Sequence, residues 1–213
     1  MKKWIIITIS LCFSILSCEN DRNDGLYCVN TIKSKPGTTV LSKSEMEVVK
    51  NLFDRNKLDY KKYLFTRFQK DELGNHHIRC FQFANNLLVF TSDAIFHFGN
   101  NGNYSSLSGD LIKKINLNTI SSMTKDNVVE KFIDILNDDE LFFGIHPEDK
   151  EKIISGCFDL EFGYYNLNAG ISYADEKFTK AWKIIPSNKE YPFAYINDDN
   201  SKIIYYDNGI RFY

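Results

Sequence analysis

The chain has 213 residues, of which 43% are hydrophobic, 15% aromatic and 25% charged, and its formal net charge is −2. This length suffices for one substantial domain or two small ones, and the aromatic content supplies the apolar area of a sizeable core. A mildly acidic chain lacks the basic surface that nucleic acid requires, so nucleic acid is excluded as an expected partner.

The amino terminus is typical of a secretion signal. Two lysines precede an apolar run at 4–16, which fits the hydrophobic region of such a signal and is shorter than the roughly 20 residues of a spanning helix. The run ends in Ile15-Leu16-Ser17-Cys18, which resembles a bacterial lipobox. We therefore predict a lipoprotein signal peptide at 1–17 and lipid attachment at Cys18. The alternative is an ordinary signal peptide whose cysteine is incidental.

Membrane attachment is expected through this lipid, because no later apolar run is long enough to cross a membrane. Polar residues follow at 19–24, and we predict a tether with a loop over 18–41. The resemblance to bacterial lipoproteins implies a location in the cell envelope, anchored in the outer membrane and displayed at the surface in some relatives of this type.

Three further cysteines lie beyond the anchor, namely Cys28, Cys80 and Cys157. An exported protein can form disulfides, and three cysteines allow one pair and leave one residue over. The spacing does not select the pair, and three buried thiols are an equal alternative.

A helix is predicted at 44–56. Ser42 with Glu45, or Ser44 with Glu47, supplies a capping box before it. Its apolar stripe consists of Met46, Val49 and Phe53.

Four antiparallel strands should follow, separated by turn signals at Gly74, Asn85-Asn86 and Asn101-Gly102. The predicted strands are Tyr63–Phe68, His77–Phe83, Leu87–Phe98 with a bend near Ser92-Asp93, and Tyr104–Leu111. A helix that covers one face of such a sheet forms an α+β unit.

The second half repeats this order. One helix is predicted at 124–137, and a short one opens at Pro147 and closes at Gly156. The predicted strands are Cys157–Tyr165, Phe178–Ile185, Pro192–Ile196 and Lys202–Tyr206. The expected fold class is therefore α+β, with two successive helix-on-antiparallel-sheet units at 42–118 and 119–213.

Residues 76–112 resemble the FTP motif, which occurs in the propeptides of thermolysin-like metallopeptidases. The resemblance is carried by the following residues: Arg79, Gln82, Asn85, Val89, Ser92, Asp93, His97, Ser108, Gly109, Asp110 and Leu111. Asn86, Leu88 and Thr91 depart from the family pattern, where Gly, Pro and Gly are usual. We expect these departures to make the third strand more regular.

The second half resembles the PepSY-type domain that follows FTP in such propeptides. The residues that carry this resemblance are Ala181-Trp182-Lys183-Ile184 and the strand pair at 192–196 and 202–206. Thermolysin-like enzymes also carry His-Glu-x-x-His, and no histidine of this sequence lies in that pattern. The resemblance therefore implies a propeptide-like region without the peptidase domain.

No catalytic residue, metal site or cofactor is assigned. His76 and His77 should point to opposite faces of a strand, so they are not expected to share an ion, and His97 is predicted to be a hydrogen-bonded structural residue. Asp198-Asp199 lacks the spacing of a calcium loop and is predicted to be a solvated turn. Asp93 and Asp110 match non-catalytic positions of the family.

The resemblance implies a non-enzymatic binding module, because propeptides of this family chaperone and inhibit their own peptidases. The expected partner is a secreted or envelope metallopeptidase. A sheet face, or the tail at 208–213 with Phe212 and Tyr213 as aromatic anchors, would dock on it. The alternative is a structural or adhesive surface lipoprotein that no longer binds a peptidase.

Overall fold

The computed structural model describes residues 25–109, 111–112, 114–138, 145–171 and 175–210. The signal at 1–17, the lipid-attachment residue Cys18 and the tail anchors Phe212 and Tyr213 lie outside the described residues, so what the sequence indicates for them stays a prediction. No helix in the described ranges is long and apolar enough to cross a membrane.

Three α-helices and ten strands form the described part of the chain. The helices are α1 Lys43–Arg55, α2 Lys125–Asp138 and α3 Pro147–Ile154. The strands are β1 Cys28–Ile32, β2 Tyr63–Lys70, β3 His76–Ala84, β4 Leu87–Val89, β5 Ala94–Phe98, β6 Tyr104–Ser108, β7 Cys157–Asn166, β8 Phe178–Pro186, β9 Phe193–Asn197 and β10 Ile203–Asp207.

The α+β class is confirmed, but the strands do not form two separate sheets. Their order is β10-β9-β8-β7-β4-β3-β5-β6, with β1 paired to β7 and β2 paired to β3. The connection is β4, which pairs antiparallel with β3 at Leu88↔Phe83 and parallel with β7 at Val89↔Tyr164. The predicted boundary between two units is therefore bridged by continuous strand pairing.

The predicted strand at 87–98 is two strands, β4 and β5. Between them the Ser92 hydroxyl donates to the Val89 carbonyl at 2.7 Å and accepts from the Gln82 amide, also at 2.7 Å. These bonds satisfy backbone groups where the chain leaves β4, which pairs with β3 and β7, and enters β5, which pairs with β3 and β6. The bend predicted near Ser92-Asp93 is confirmed, since β4 ends at Val89 and β5 begins at Ala94.

The predicted tether at 18–41 is corrected for residues 28–32, which form β1. This strand runs parallel to β7, with Cys28 opposite Cys157, and the two cysteines form a disulfide. Cys80 is buried and free. A five-residue strand whose partner lies 129 positions away leaves no local pattern, since only Val29 of its side chains is buried.

A separate apolar core lies under each of the long helices. The capping box of α1 uses Ser42 and Glu45, and Phe53 of that helix packs on Phe65 and Phe96 with ring centroids 5.3 and 4.9 Å apart. In the other core, Phe132 of α2 packs on Phe158 of β7 at 5.9 Å.

Replacing Gly163 with alanine is expected to destabilise the junction of β4 and β7. An added Cβ would collide with the Leu88 carbonyl oxygen and lie 2.8 Å from Phe90 Cζ. Overpacking of this kind costs about 1–3 kcal/mol of the free energy of unfolding, which urea denaturation measures. Gly156→Ala is the control, since its nearest contact is 3.3 Å. Equal losses of unfolding free energy in the two variants would contradict the prediction that the junction of β4 and β7 needs a glycine at position 163.

Candidate functional site

The FTP-type residues hold the chain together at the junction between its halves. The Gln82 carboxamide donates to the Ile112 carbonyl at 2.8 Å and accepts from the Ile112 amide at 2.9 Å. Asn85 Nδ2 lies 3.1 Å from the Ile115 carbonyl and 3.3 Å from the Tyr164 hydroxyl. These hydrogen bonds therefore hold the segment that leads from β6 towards α2, and the role of Gln82 and Asn85 is structural.

Arg79 of β3 and Asp93, which precedes β5, form an ion pair at the surface. Arg79 Nε donates to Asp93 Oδ1 at 2.7 Å, and a second nitrogen of the guanidinium contacts the other carboxylate oxygen. Both side chains are over a third exposed, so water screens the pair. Asp110 lies outside the described residues. That Asp93 and Asp110 occupy non-catalytic positions therefore stays a prediction.

Two histidines that the sequence analysis treated separately face each other across β3 and β5. His77 is the register partner of His97, and their Nδ1 atoms are 2.7 Å apart. The outer Nε2 atoms lie 3.2 Å from Asp71 Oδ2 and 2.8 Å from Ser108 Oγ, respectively. The prediction of a hydrogen-bonded His97 is confirmed. The strand register was the missing signal, because a separation of 20 residues shows nothing by itself.

One arrangement of protons satisfies all four groups of this chain. The Ser108 hydroxyl donates to His97, His97 donates to His77, and His77 donates to the Asp71 carboxylate. Burial and the neighbouring His77 lower the pKa of His97, so the neutral ring that this arrangement needs is favoured. Within the described ranges, no group of three or more His, Cys, Asp or Glu side chains is placed to hold a metal ion.

A larger feature lies on the side of β7 to β10 that faces away from α2. Side chains alternate along β9, so Ala194 and Ile196 enter the core under α2, while Phe193 and Tyr195 point the other way. Five rings make up this aromatic face: Tyr165, Tyr191, Phe193, Tyr195 and Tyr205.

The rings of the aromatic face contact one another in a continuous row. Tyr195 lies 5.0 Å from Tyr165 and 5.8 Å from Phe193, and Phe193 lies 5.8 Å from Tyr205. Lys183 Nζ lies 5.9 Å from the Phe193 centroid, within the range of a cation–π contact. Mutual contact of this kind holds the rings in fixed orientations.

The aromatic face is partly open to solvent. Tyr205 is 44% and Tyr191 is 38% exposed, whereas Tyr195 is largely covered. Burial and then the neighbouring Tyr165 raise the pKa of Tyr195, so its hydroxyl stays protonated at neutral pH. A contiguous apolar surface that presents hydroxyl groups at its edge is typical of protein interfaces.

Side chains from β2 and β3 pack in the same cluster as the aromatic face. Leu64 and Phe81 alternate with residues buried under α1, and they pack in the same cluster as Tyr165 and Tyr195. Phe90 connects the two parts, since its ring lies 5.1 Å from Tyr195. The two halves of the chain therefore contribute to one apolar cluster on the side away from both long helices, and Phe90 is buried within it.

Residues 65–111 match the Fungalysin/Thermolysin Propeptide Motif, abbreviated FTP. This stretch of the chain is therefore similar to that propeptide motif. This match confirms the resemblance that the residues at 76–112 indicated, and it extends that resemblance to most of β2. The matched stretch runs from within β2 to beyond β6, and it includes the strands that pack under α1.

Two other comparisons add no functional argument. The Bacillus megaterium YpeB C-terminal domain is similar over 82% of this chain and 68% of its own, with a TM-score of 0.37 and 8% sequence identity. A likeness at that score and identity identifies no function. No curated protein matches the chain.

Proposed function

We propose that this chain is a non-enzymatic, propeptide-like binding module that docks on a metallopeptidase supplied as a separate protein. The FTP match at 65–111 carries the proposal, because that motif is named for the propeptides of fungalysin and thermolysin. The PepSY-type resemblance of the second half supports the same assignment. Docking would inhibit the peptidase, chaperone its folding, or do both.

The aromatic face is the contact surface in this proposal. Tyrosine is enriched among the residues that dominate binding energy, since a large ring with only two side-chain torsions loses little entropy when it is covered. Tyr205 and Tyr191 expose enough ring to be buried by a partner. Tyr205 packs on Tyr195, and Tyr191 packs on Phe193. The tail at 208–213, with Phe212 and Tyr213, is a second contact in the same proposal.

Lipid attachment at Cys18 gives the proposal its cellular setting. A module anchored in this way stays in the envelope, where it binds peptidases that cross the envelope or fold there. The residues between Cys18 and β1 then serve as the tether, which is shorter than predicted because Cys28 is joined to Cys157.

Binding to a purified secreted metallopeptidase of the source organism tests the contact surface. Tyr205→Ala in the mature chain should weaken the affinity about tenfold or more, as calorimetric titration measures it. Tyr104→Ala is the matched control, because Tyr104 is 42% exposed and lies on the β6 edge, away from the aromatic face.

The control variant should bind as the wild-type chain does. Equal losses for Tyr205→Ala and Tyr104→Ala would remove the aromatic face from the proposal. A folded wild-type chain that binds none of the organism's secreted metallopeptidases would favour the structural or adhesive alternative.

A further inference from the structure

A cavity lies at the point where β7 changes its partner. β1 pairs with β7 as far as Ile32↔Glu161, and β4 takes over at Leu88↔Gly163. The chain leaves β1 at Lys33, and it enters β4 after the turn at 85–86. The segment that follows β1 and the segment that precedes β4 therefore diverge from β7 beside Phe162. The space between them, here called the fork cavity, has a volume of about 640 Å³.

The walls of the fork cavity are mainly hydrocarbon. They include the side chains of Ile32, Pro36, Leu87, Leu88, Phe162 and Trp182. The Phe162 and Trp182 rings lie 5.0 Å apart, and the Trp182 N–H already donates to Ser121 and Asp198 at 3.0 and 3.1 Å. That polar atom is satisfied elsewhere, so the ring offers only apolar surface to an occupant.

The rim of the fork cavity is positively charged. Lys33 and Lys35 line it, and Glu161 is the carboxylate among the lining residues. Glu161 Oε1 accepts a hydrogen bond from the Ser34 amide at 3.2 Å, so one of its carboxylate oxygens is already engaged by the backbone. The chain as a whole has a net charge of −2, so this local excess of cations runs against the general charge of the molecule.

We infer that the fork cavity binds an anionic amphiphile with a single alkyl chain, of the fatty-acid class. The alkyl chain would lie against Phe162 and Trp182, and the carboxylate would meet the lysine rim. Apolar pockets of about 300–1,000 Å³ with a few placed polar groups are typical of small-molecule sites.

Trp182 provides a direct readout of binding. The sequence has two tryptophans, and Trp4 lies in the predicted signal peptide, so Trp182 is the single tryptophan of the mature chain. Titration of the mature chain with dodecanoate below its aggregation concentration should give a saturable change in Trp182 emission. 1-Dodecanol and dodecyltrimethylammonium should bind at least about tenfold more weakly, because neither places a negative charge at the rim.

Variants at the rim separate charge recognition from simple partition into an apolar space. Lys33→Glu with Lys35→Glu should weaken dodecanoate binding about tenfold or more while 1-dodecanol binding changes little. Lys43→Glu with Lys61→Glu is the matched control, since these lysines lie at α1 and beside β2, away from the cavity. Ile32→Asp, at a position that is 42% exposed, should abolish binding of both probes without loss of folding.

Three results would overturn the inference. These are the absence of a saturable Trp182 response, equal affinity for the three probes, and insensitivity of dodecanoate binding to the rim reversal. Peptidase binding is measured separately from Trp182 emission, so the outcome is independent of the proposed function.

Discussion

Replacing Asp198 with alanine is expected to lower the free energy of unfolding by about 3–5 kcal/mol, the cost of breaking a buried ion pair from one side. The Asp198 side chain has no exposed surface and lies 3.1 Å from Lys180 Nζ, whose side chain is 8% exposed. It also accepts from the Ser121 hydroxyl at 2.6 Å and from the Ser122 amide at 2.8 Å. The alanine variant would leave Lys180 buried with too little compensation.

Asp199→Ala is the matched control for this prediction, and urea denaturation at pH 7 is the measurement. Asp199 also lies 3.1 Å from Lys180 Nζ, but its side chain is 55% exposed. Its removal should therefore cost no more than about 1 kcal/mol. Comparable losses of unfolding free energy for Asp198→Ala and Asp199→Ala would show that burial does not determine how much an ion pair with Lys180 contributes.

The contribution of Asp198 should depend on pH in a defined direction. Burial by itself raises the pKa of Asp198, but hydrogen bonds from Ser121, Ser122 and Met123, together with Lys180, outweigh burial and leave the pKa lowered. A carboxyl with a lowered native pKa stabilises the fold above its unfolded value of about 3.9, and this contribution is lost as the pH falls through the native pKa. The stability difference between the wild-type chain and Asp198→Asn should therefore shrink below about pH 4. A difference that stays constant down to pH 2 would contradict this.

Loss of the disulfide is expected to be the other large effect. Cys28→Ser should lower the free energy of unfolding by about 2–5 kcal/mol, because the bond closes a loop of 129 residues in the unfolded chain. It also joins β1, which has few buried side chains of its own, to β7. Thermal unfolding of the oxidised chain, compared with Cys28→Ser, measures the difference.

Reduction provides the control for the disulfide prediction. Cys157→Ser and the reduced wild-type chain should both behave like Cys28→Ser, since each removes the same bond. Burial raises the pKa of the Cys80 thiol to about 12, so this thiol is not expected to exchange with the bond or to replace it. Identical unfolding of the oxidised and reduced chains would rule out a stabilising role.

The features that the sequence predicted well are those with a local signal. α1 and α2 were predicted to within about a residue at each end, because caps at Ser42 and Thr124 and an apolar stripe mark them within one stretch of chain. The hairpin turns at 85–86 and 101–102 were found for the same reason, since Asn and Gly adopt the positive φ that such turns need.

The features that the sequence analysis missed depend on pairing between distant segments. β1, the joining role of β4 and the His77–His97 contact all require a register that no local pattern contains. Asp198 is the clearest correction, because it was predicted to lie in a solvated turn and is 1% exposed. Its partners Ser121 and Lys180 lie 77 and 18 positions away, and only folding brings them to it.

The aromatic face was also beyond the sequence analysis, although a sheet face was named as one possible contact. Its members come from β7, β9 and β10 and from the segment before β9. Each strand alternates inward and outward residues, but which tyrosines become neighbours depends on the order of the strands. Gln82 and Asn85 are the opposite case. The FTP resemblance singled out both residues from the sequence, but only the fold shows the hydrogen bonds that they make at the junction.

Inhibition of a metallopeptidase by the mature chain tests the central claim most directly. The measurement is the rate of peptide hydrolysis by a purified secreted metallopeptidase of the source organism as the folded chain is added. We expect saturable inhibition that Tyr205→Ala weakens about tenfold or more and Tyr104→Ala leaves unchanged. Undiminished hydrolysis by the organism's secreted metallopeptidases in the presence of excess folded chain, with no protection of their folding, would contradict the account.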